Sequence, residues 1–155
     1  GRNGCGKSSL LKLLIGQPIA HTGTLEIGSR LTVSYVPQDM SFLSGSADDF
    51  AAESEIDITL FKTILRKLDF KRTQFTKDMS EFSMGQKKKV LLARSLCQRA
   101  NLYIWDEPLN YIDVISRLQI ETLILEYKPT MLFVEHDEAF VNDIATKVCR
   151  ISLNQ

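Results

Sequence analysis

A chain of 155 residues with 44% hydrophobic and 25% charged residues has the makeup of one globular domain. Its 19 basic and 19 acidic residues cancel, which removes any global electrostatic argument for nucleic acid or membrane surfaces and leaves only a local patch. Cys5, Cys97 and Cys149 have no paired spacing and read as free thiols of a reducing compartment, no apolar run nears the roughly 18 residues of a membrane span, and no signal peptide is visible.

The chain opens on Gly1-Arg2-Asn3-Gly4-Cys5-Gly6-Lys7-Ser8, which fits G-x-x-x-x-G-K-[ST] in full. Gly1, Gly4 and Gly6 let backbone N–H groups point inward at phosphate oxygens, because no Cβ stands in the way. Lys7 supplies a point charge for the β- and γ-phosphates, and the Ser8 hydroxyl is a ligand for Mg²⁺. Cys5 is either a reactive thiol or, more simply, a small filler. A phosphate loop normally follows a buried strand. That strand is expected upstream of Gly1, so the chain reads as N-terminally truncated. Leu10, Leu11, Leu13, Leu14 and Ile15 make the next helix apolar nearly all round, which predicts a buried helix with its positive end at the phosphates. Gly16 and Pro18 stop it.

Residues 24–27 and parts of 31–36 alternate around the turn Gly28-Ser29-Arg30, which predicts an antiparallel hairpin. Pro37-Gln38 ends its second strand. Residues 41–80 change character. Leu60, Phe61, Ile64, Leu65 and Leu68 form a helical face, and the stretch is expected to be a small helical subdomain. Ser83 of Phe82-Ser83-Met84-Gly85-Gln86 can cap a helix, either as an ordinary cap or as an anion site. Lys87-Lys88-Lys89 reads first as a solvated face, and second as a contact for nucleic-acid backbone.

Leu102-Tyr103-Ile104-Trp105 is a short apolar run that delivers Asp106 and Glu107 to the rim of a sheet. Asp106 would hold Mg²⁺, directly or through water, and Glu107 would orient and polarise an attacking water. Pro108 turns the chain out, and Asp113 caps a helix through Leu118, Thr122, Leu123 and Leu125. Residues 130–134 are another apolar strand, ending in Glu135-His136-Asp137, so His136 reaches the same rim. Residues 148–153 read as a last short strand. Strands alternating with helices predict an α/β fold with a mostly parallel sheet and ligands at the C-terminal strand ends.

These motifs, in this order, resemble an ATP-binding-cassette nucleotide-binding domain spanning residues 1–155. The residues that carry the resemblance are Gly1–Ser8, the Gln38 loop, the signature 82–86, the strand 102–107, the loop 109–113 and His136. The resemblance implies a phosphate-loop NTPase that binds and hydrolyses ATP with Mg²⁺. It implies nucleotide contacts from Gly1, Asn3, Gly4, Cys5, Gly6, Lys7, Ser8 and Ser9, and from Ser83, Gly85 and Gln86 toward a second cassette. It implies Ser8, Gln38 and Asp106 at the metal, and Glu107, His136 and Gln38 in catalysis. Residues 85–90, 105–113 and 133–137 look like the ABC-F class, and most like the second cassette of antibiotic-resistance proteins that protect ribosomes from lincosamides, streptogramin A and pleuromutilins. The resemblance then implies a cytoplasmic protein with a second cassette in the same full-length chain, and the ribosome as partner. Met84 departs from the family pattern, which has glycine there. Two other readings stand beside this one, namely the ATP-binding subunit of a transporter and a clamp that binds ATP and rarely turns over.

Overall fold

The computed structural model describes residues 6–151. Gly1, Asn3, Gly4 and Cys5 of the phosphate loop lie outside them. Helix α1 (Lys7–Leu14) starts at Gly6, whose φ of 86° falls in the left-handed region that glycine enters without steric cost. Gly16, at φ 82°, ends it. There the Gly16 N–H donates to the Leu13 carbonyl and the Gln17 N–H to the Lys12 carbonyl, both at 3.0 Å. The expected all-round burial is not met, since Leu11 is 2% exposed and Leu10 42%. The described part of the fold covers one stripe of α1, chiefly with strand β2, leaving Leu13 and Leu14 half-buried and Leu10 exposed.

Three strands form one parallel sheet in the order β1 (Val33–Val36), β2 (Leu102–Asp106), β3 (Met131–Val134). Helices α2 (Ala47–Glu53), α3 (Ile58–Lys67) and α4 (Met84–Cys97), with two 3-10 turns, connect β1 to β2. Helix α5 (Val114–Tyr127) connects β2 to β3, and α6 (Glu138–Ile144) follows. The fold is therefore α/β with a parallel sheet, as the element order predicts.

The antiparallel hairpin does not form. Residues 24–27 lie in no strand, and 33–36 pair in parallel with β2, Val33 opposite Leu102 and Val36 opposite Trp105. Alternation favours a strand only where its apolar face is covered. Here Leu25, Ile27 and Leu31 stay 36%, 44% and 41% exposed. Nor do residues 148–151 form a strand, and Val148 is exposed. The rest of that predicted strand lies outside the described residues.

Helix α4 is the core of the molecule. Its Val90, Leu91, Leu92 and Ala93 are all buried, between the sheet on one side and Phe61 and Leu65 of α3 on the other. The face predicted on α3 is buried as expected, except for Leu60. A polar clip fastens α4 to two strands. Trp105 Nε1 donates to Ser95 Oγ (2.9 Å), Ser34 Oγ donates to Gln98 Oε1 (2.8 Å), and the two serine hydroxyls stand 2.7 Å apart. With the Ser34 proton spent on Gln98, Ser95 must donate to Ser34, so each hydroxyl is satisfied without water.

Candidate functional site

Parallel strands end on one side, so β1, β2 and β3 bring Pro37-Gln38, Asp106-Glu107 and Glu135-His136 to a common rim. Glu107 is the hub. Its backbone takes a left-handed φ of 49°, and its N–H donates to the Val134 carbonyl at 2.9 Å. That conformation is uncommon for a side chain this large and is held by the ends of β2 and β3. Gln38 Nε2 (2.9 Å) and Asn110 Nδ2 (2.6 Å) both donate to Glu107 Oε2. His136 Nε2 stands 3.4 Å from Glu107 Oε1. Two side-chain amides and an imidazole thus converge on one carboxylate at the mouth of the sheet.

Asp106 lies beneath it, 1% exposed, and neither carboxylate oxygen has a hydrogen-bond partner of ordinary geometry. Burial pushes its pKa above the ordinary carboxylate value, and the Glu107 charge adds to this. The Ser8 hydroxyl, Lys88 and Lys12 pull the other way. An orphaned buried carboxylate beside a hydroxyl is the donor set that suits a hard divalent cation. Among the described residues no group of three or more His, Cys, Asp or Glu could hold a metal. Ser8, Gln38 and Asp106 line one cleft of about 590 Å³, which also borders Lys12, Tyr35 and Pro37. Lys7 and Ser8 open α1, and Ser9 is exposed beside them.

Ser83, Gly85 and Gln86 are elsewhere. Ser83 caps α4 through a reciprocal box, in which the Gln86 N–H donates to Ser83 Oγ (3.3 Å) and the Ser83 N–H to Gln86 Oε1 (2.9 Å). These three residues line a second cleft of about 260 Å³ that shares no lining residue with the first. A Cβ built on Gly85 would stand 2.5 Å from the Tyr111 carbonyl oxygen, so the loop after β2 rests on the start of α4.

The lysine run is not a solvated face. Lys88 is 0% exposed and its Nζ donates to the Pro37 carbonyl at 3.2 Å. Lys89 is 8% exposed and pairs with Asp113 at 2.6 Å. Burial pushes the Asp113 carboxyl up, but hydrogen bonds from Lys89 and from the Ser116 N–H and hydroxyl outweigh it and bring it to about 2. The readable signal was position. Both lysines sit one turn from Val90–Ala93, a run of four apolar residues that covers every face of the helix, so they could not both escape to water. Asn110 and Glu135 were also missed as site residues. Glu135 Oε2 accepts from the Leu109 N–H at 3.1 Å and Oε1 from the His136 N–H at 2.6 Å, which ties the turn after β2 to the end of β3.

The family described as ABC transporter matches residues 1–110. YdiF of Bacillus subtilis (strain 168) is 36% identical over 159 residues, covering 98% of this chain and 24% of YdiF. ABC transporter F family member 2 of Arabidopsis thaliana is 30% identical over 157 residues, covering 97% of this chain and 23% of that protein. Among solved structures, archaeal ribosome recycling factor aABCE1, in complex with the ribosomal stalk protein aP1, superposes with a TM-score of 0.73. It is 28% identical, covering 93% of this chain and 29% of that one. The chain spans about a quarter of the length of the relatives it matches.

Proposed function

The chain belongs to the ABC transporter family of ATP-binding domains, which hydrolyse ATP, and from that premise we propose that it is one cassette of a two-cassette ABC-F protein acting on the ribosome. The observation that carries the enzymatic half is the convergence of Gln38, Asn110 and His136 on Glu107, one residue past the buried Asp106. Glu107 takes the proton of the attacking water, and the amides of Gln38 and Asn110 fix the carboxylate that does so. Lys7 and Gly6, with the preceding loop residues, bind the phosphates. Ser8, Asp106 and Gln38 hold Mg²⁺, which when bound neutralises charge developing on the transferred phosphoryl group. His136 stands beside Glu107 at the entry to the site. Ser83, Gly85 and Gln86 serve the ATP of the other cassette, since their cleft is separate from that of Ser8 and Asp106. Residues 41–80 are a helical subdomain whose Asp69, Phe70, Lys71 and Gln74 also line this second cleft.

The likeness to a relative named as F family supports the class, and the likeness to an archaeal ribosome recycling factor supports the ribosomal half. Residues 105–113 and 133–137 support the narrower reading of antibiotic resistance by ribosomal protection, in the cytoplasm. A transporter's ATP-binding subunit is the competing reading. No helix among the described residues is long and apolar enough to cross a membrane, and this is equally true of a transporter's motor.

The test uses the full-length protein carrying Glu107→Gln. Single-turnover hydrolysis at this site should fall by about 10²–10⁴ while nucleotide binding persists. With ATP, the variant should sediment with ribosomes. Sedimentation with membranes instead would favour the transporter, and an unchanged single-turnover rate would remove Glu107 from catalysis.

A further inference from the structure

We propose that Lys88 is a positioning residue for hydrolysis, holding the loop that carries Gln38 against the helix that starts at the signature. The proposal rests on the reading of Glu107 given above. Lys88 lies on α4 one turn from Gly85, and no part of it reaches solvent. Its Nζ donates to the Pro37 carbonyl at 3.2 Å. That carbonyl belongs to the rigid peptide plane that also contains the Gln38 nitrogen and Cα. Fixing the oxygen therefore fixes the direction in which Gln38 leaves β1. Gln38 in turn donates to Glu107 at 2.9 Å. A continuous path runs from α4 through Lys88, the Pro37–Gln38 plane and the Gln38 amide to the carboxylate.

The charge on Lys88 needs its own explanation, since a buried ammonium is costly unless it is paired. A neutral amide could satisfy the Pro37 carbonyl. What a neutral side chain could not do is balance the acids nearby. Burial lowers the Lys88 pKa, while Asp106, Glu107 and Glu135 all act on it in the opposite sense. Neither Asp106 oxygen has a hydrogen-bond partner of ordinary geometry. Lys88 thus lies beneath a rim of carboxylates whose charges favour its protonated form. Its hydrogen bond to the Pro37 carbonyl sets the geometry.

The experiment measures kcat and KM for ATP in the full-length protein, with hydrolysis at any other cassette disabled, for Lys88→Met, Lys88→Gln, Gln38→Ala and the pairs. Lys88→Met removes donor and charge at similar length. Its kcat should fall about 10–100-fold with KM within about threefold, the range expected for a misplaced reacting group with binding intact. Lys88→Gln restores a donor for Pro37 and should recover part of the loss. The double variant Lys88→Met/Gln38→Ala should be no slower than Gln38→Ala alone, because both act on one path. A wild-type kcat in Lys88→Met overturns the proposal. So does a loss that Lys88→Gln does not relieve and that adds in full to that of Gln38→Ala. If Lys88→Met does not fold, the same cycle run with Lys88→Gln decides between coupling and full additivity. Glu107→Gln is measured alongside. If it matches wild type, the reading of the site fails and this proposal with it. If it is inactive while Lys88→Met is not, only the role of Lys88 fails.

Discussion

Asp106 shows how a single residue can be destabilising by itself and useful with a ligand. Burial and the Glu107 charge raise its pKa, so the folded state holds the proton more tightly than the unfolded chain does. The contribution of Asp106 to stability is therefore fully present below the ordinary carboxylate pKa and is lost as pH rises through the raised value. Asp106→Asn stays neutral throughout. In chelator, the melting temperature of the variant should draw ahead of wild type as pH rises through that range, and the gap should close in acid. The depressed carboxyls, Asp113 at about 2 among them, titrate in the opposite sense but are common to both proteins and cancel in the difference. Mg²⁺ with nucleotide should narrow the gap by stabilising wild type. A gap that shrinks as pH rises would contradict the burial argument. At this scale much was legible in the sequence. Asp106, Glu107, Gln38 and His136 sit at strand ends that apolar runs announce. The partners of Lys88, Lys89 and Asn110 were not legible, because tertiary contacts set them. Lys88 meets a carbonyl across a separation of 51 residues, and no local pattern encodes that.

Helix α4 borders both clefts. Its first turn carries Ser83 as cap and Gly85 under the Tyr111 carbonyl, its second carries Lys88 and Lys89, and its last carries the Ser95 clip. Gly85→Ala places a methyl 2.5 Å from a backbone oxygen, which cannot be absorbed by a side-chain rotation. Either the helix start or the loop at Tyr111, itself at φ 67°, must shift, and the Lys89–Asp113 pair shifts with it. Overpacking of this kind costs about 1–3 kcal/mol. Denaturant titration should show that loss, and a variant as stable as its parent would refute the close approach. Helix existence and type were legible from the period of the apolar residues and the caps at Ser83 and Asp113. The predicted hairpin failed because alternation at 24–27 records a possible face and not the layer that would cover it. The burial of α1 failed for the same reason.

At the scale of the whole molecule, the two clefts have separate linings, one with Ser8 and Asp106 and the other with Ser83 and Gly85. If each is half of a composite site, the 155-residue chain alone lacks the donors opposite its own γ-phosphate. Loss of one preorganised donor costs about 10²–10³ in rate, so the isolated chain should turn over slowly. Turnover per molecule should climb with concentration as chains pair, although Met84, 46% exposed at the start of α4, would then face the partner's phosphate. A brisk rate independent of concentration would show a complete site in one chain. The parallel sheet and the common rim were legible from the alternation of strands and helices. The separation of the two surfaces was not, since it depends on where α4 runs through the core.

The clip that joins Trp105 to Ser95 has an optical consequence. Trp105 is the single tryptophan of this chain, 1% exposed, with its indole N–H bonded, and it immediately precedes Asp106. Its emission should therefore be that of an indole shielded from water, moving to longer wavelength only when the core opens. Because the adjacent residue is the buried carboxylate, a cation arriving there changes the field across the ring without exposing it. Mg²⁺ and nucleotide should then change the intensity with at most a small shift of a still water-shielded emission, whereas unfolding should move it fully to the long wavelength of exposed indole, so the native tryptophan separates occupancy from integrity without a label.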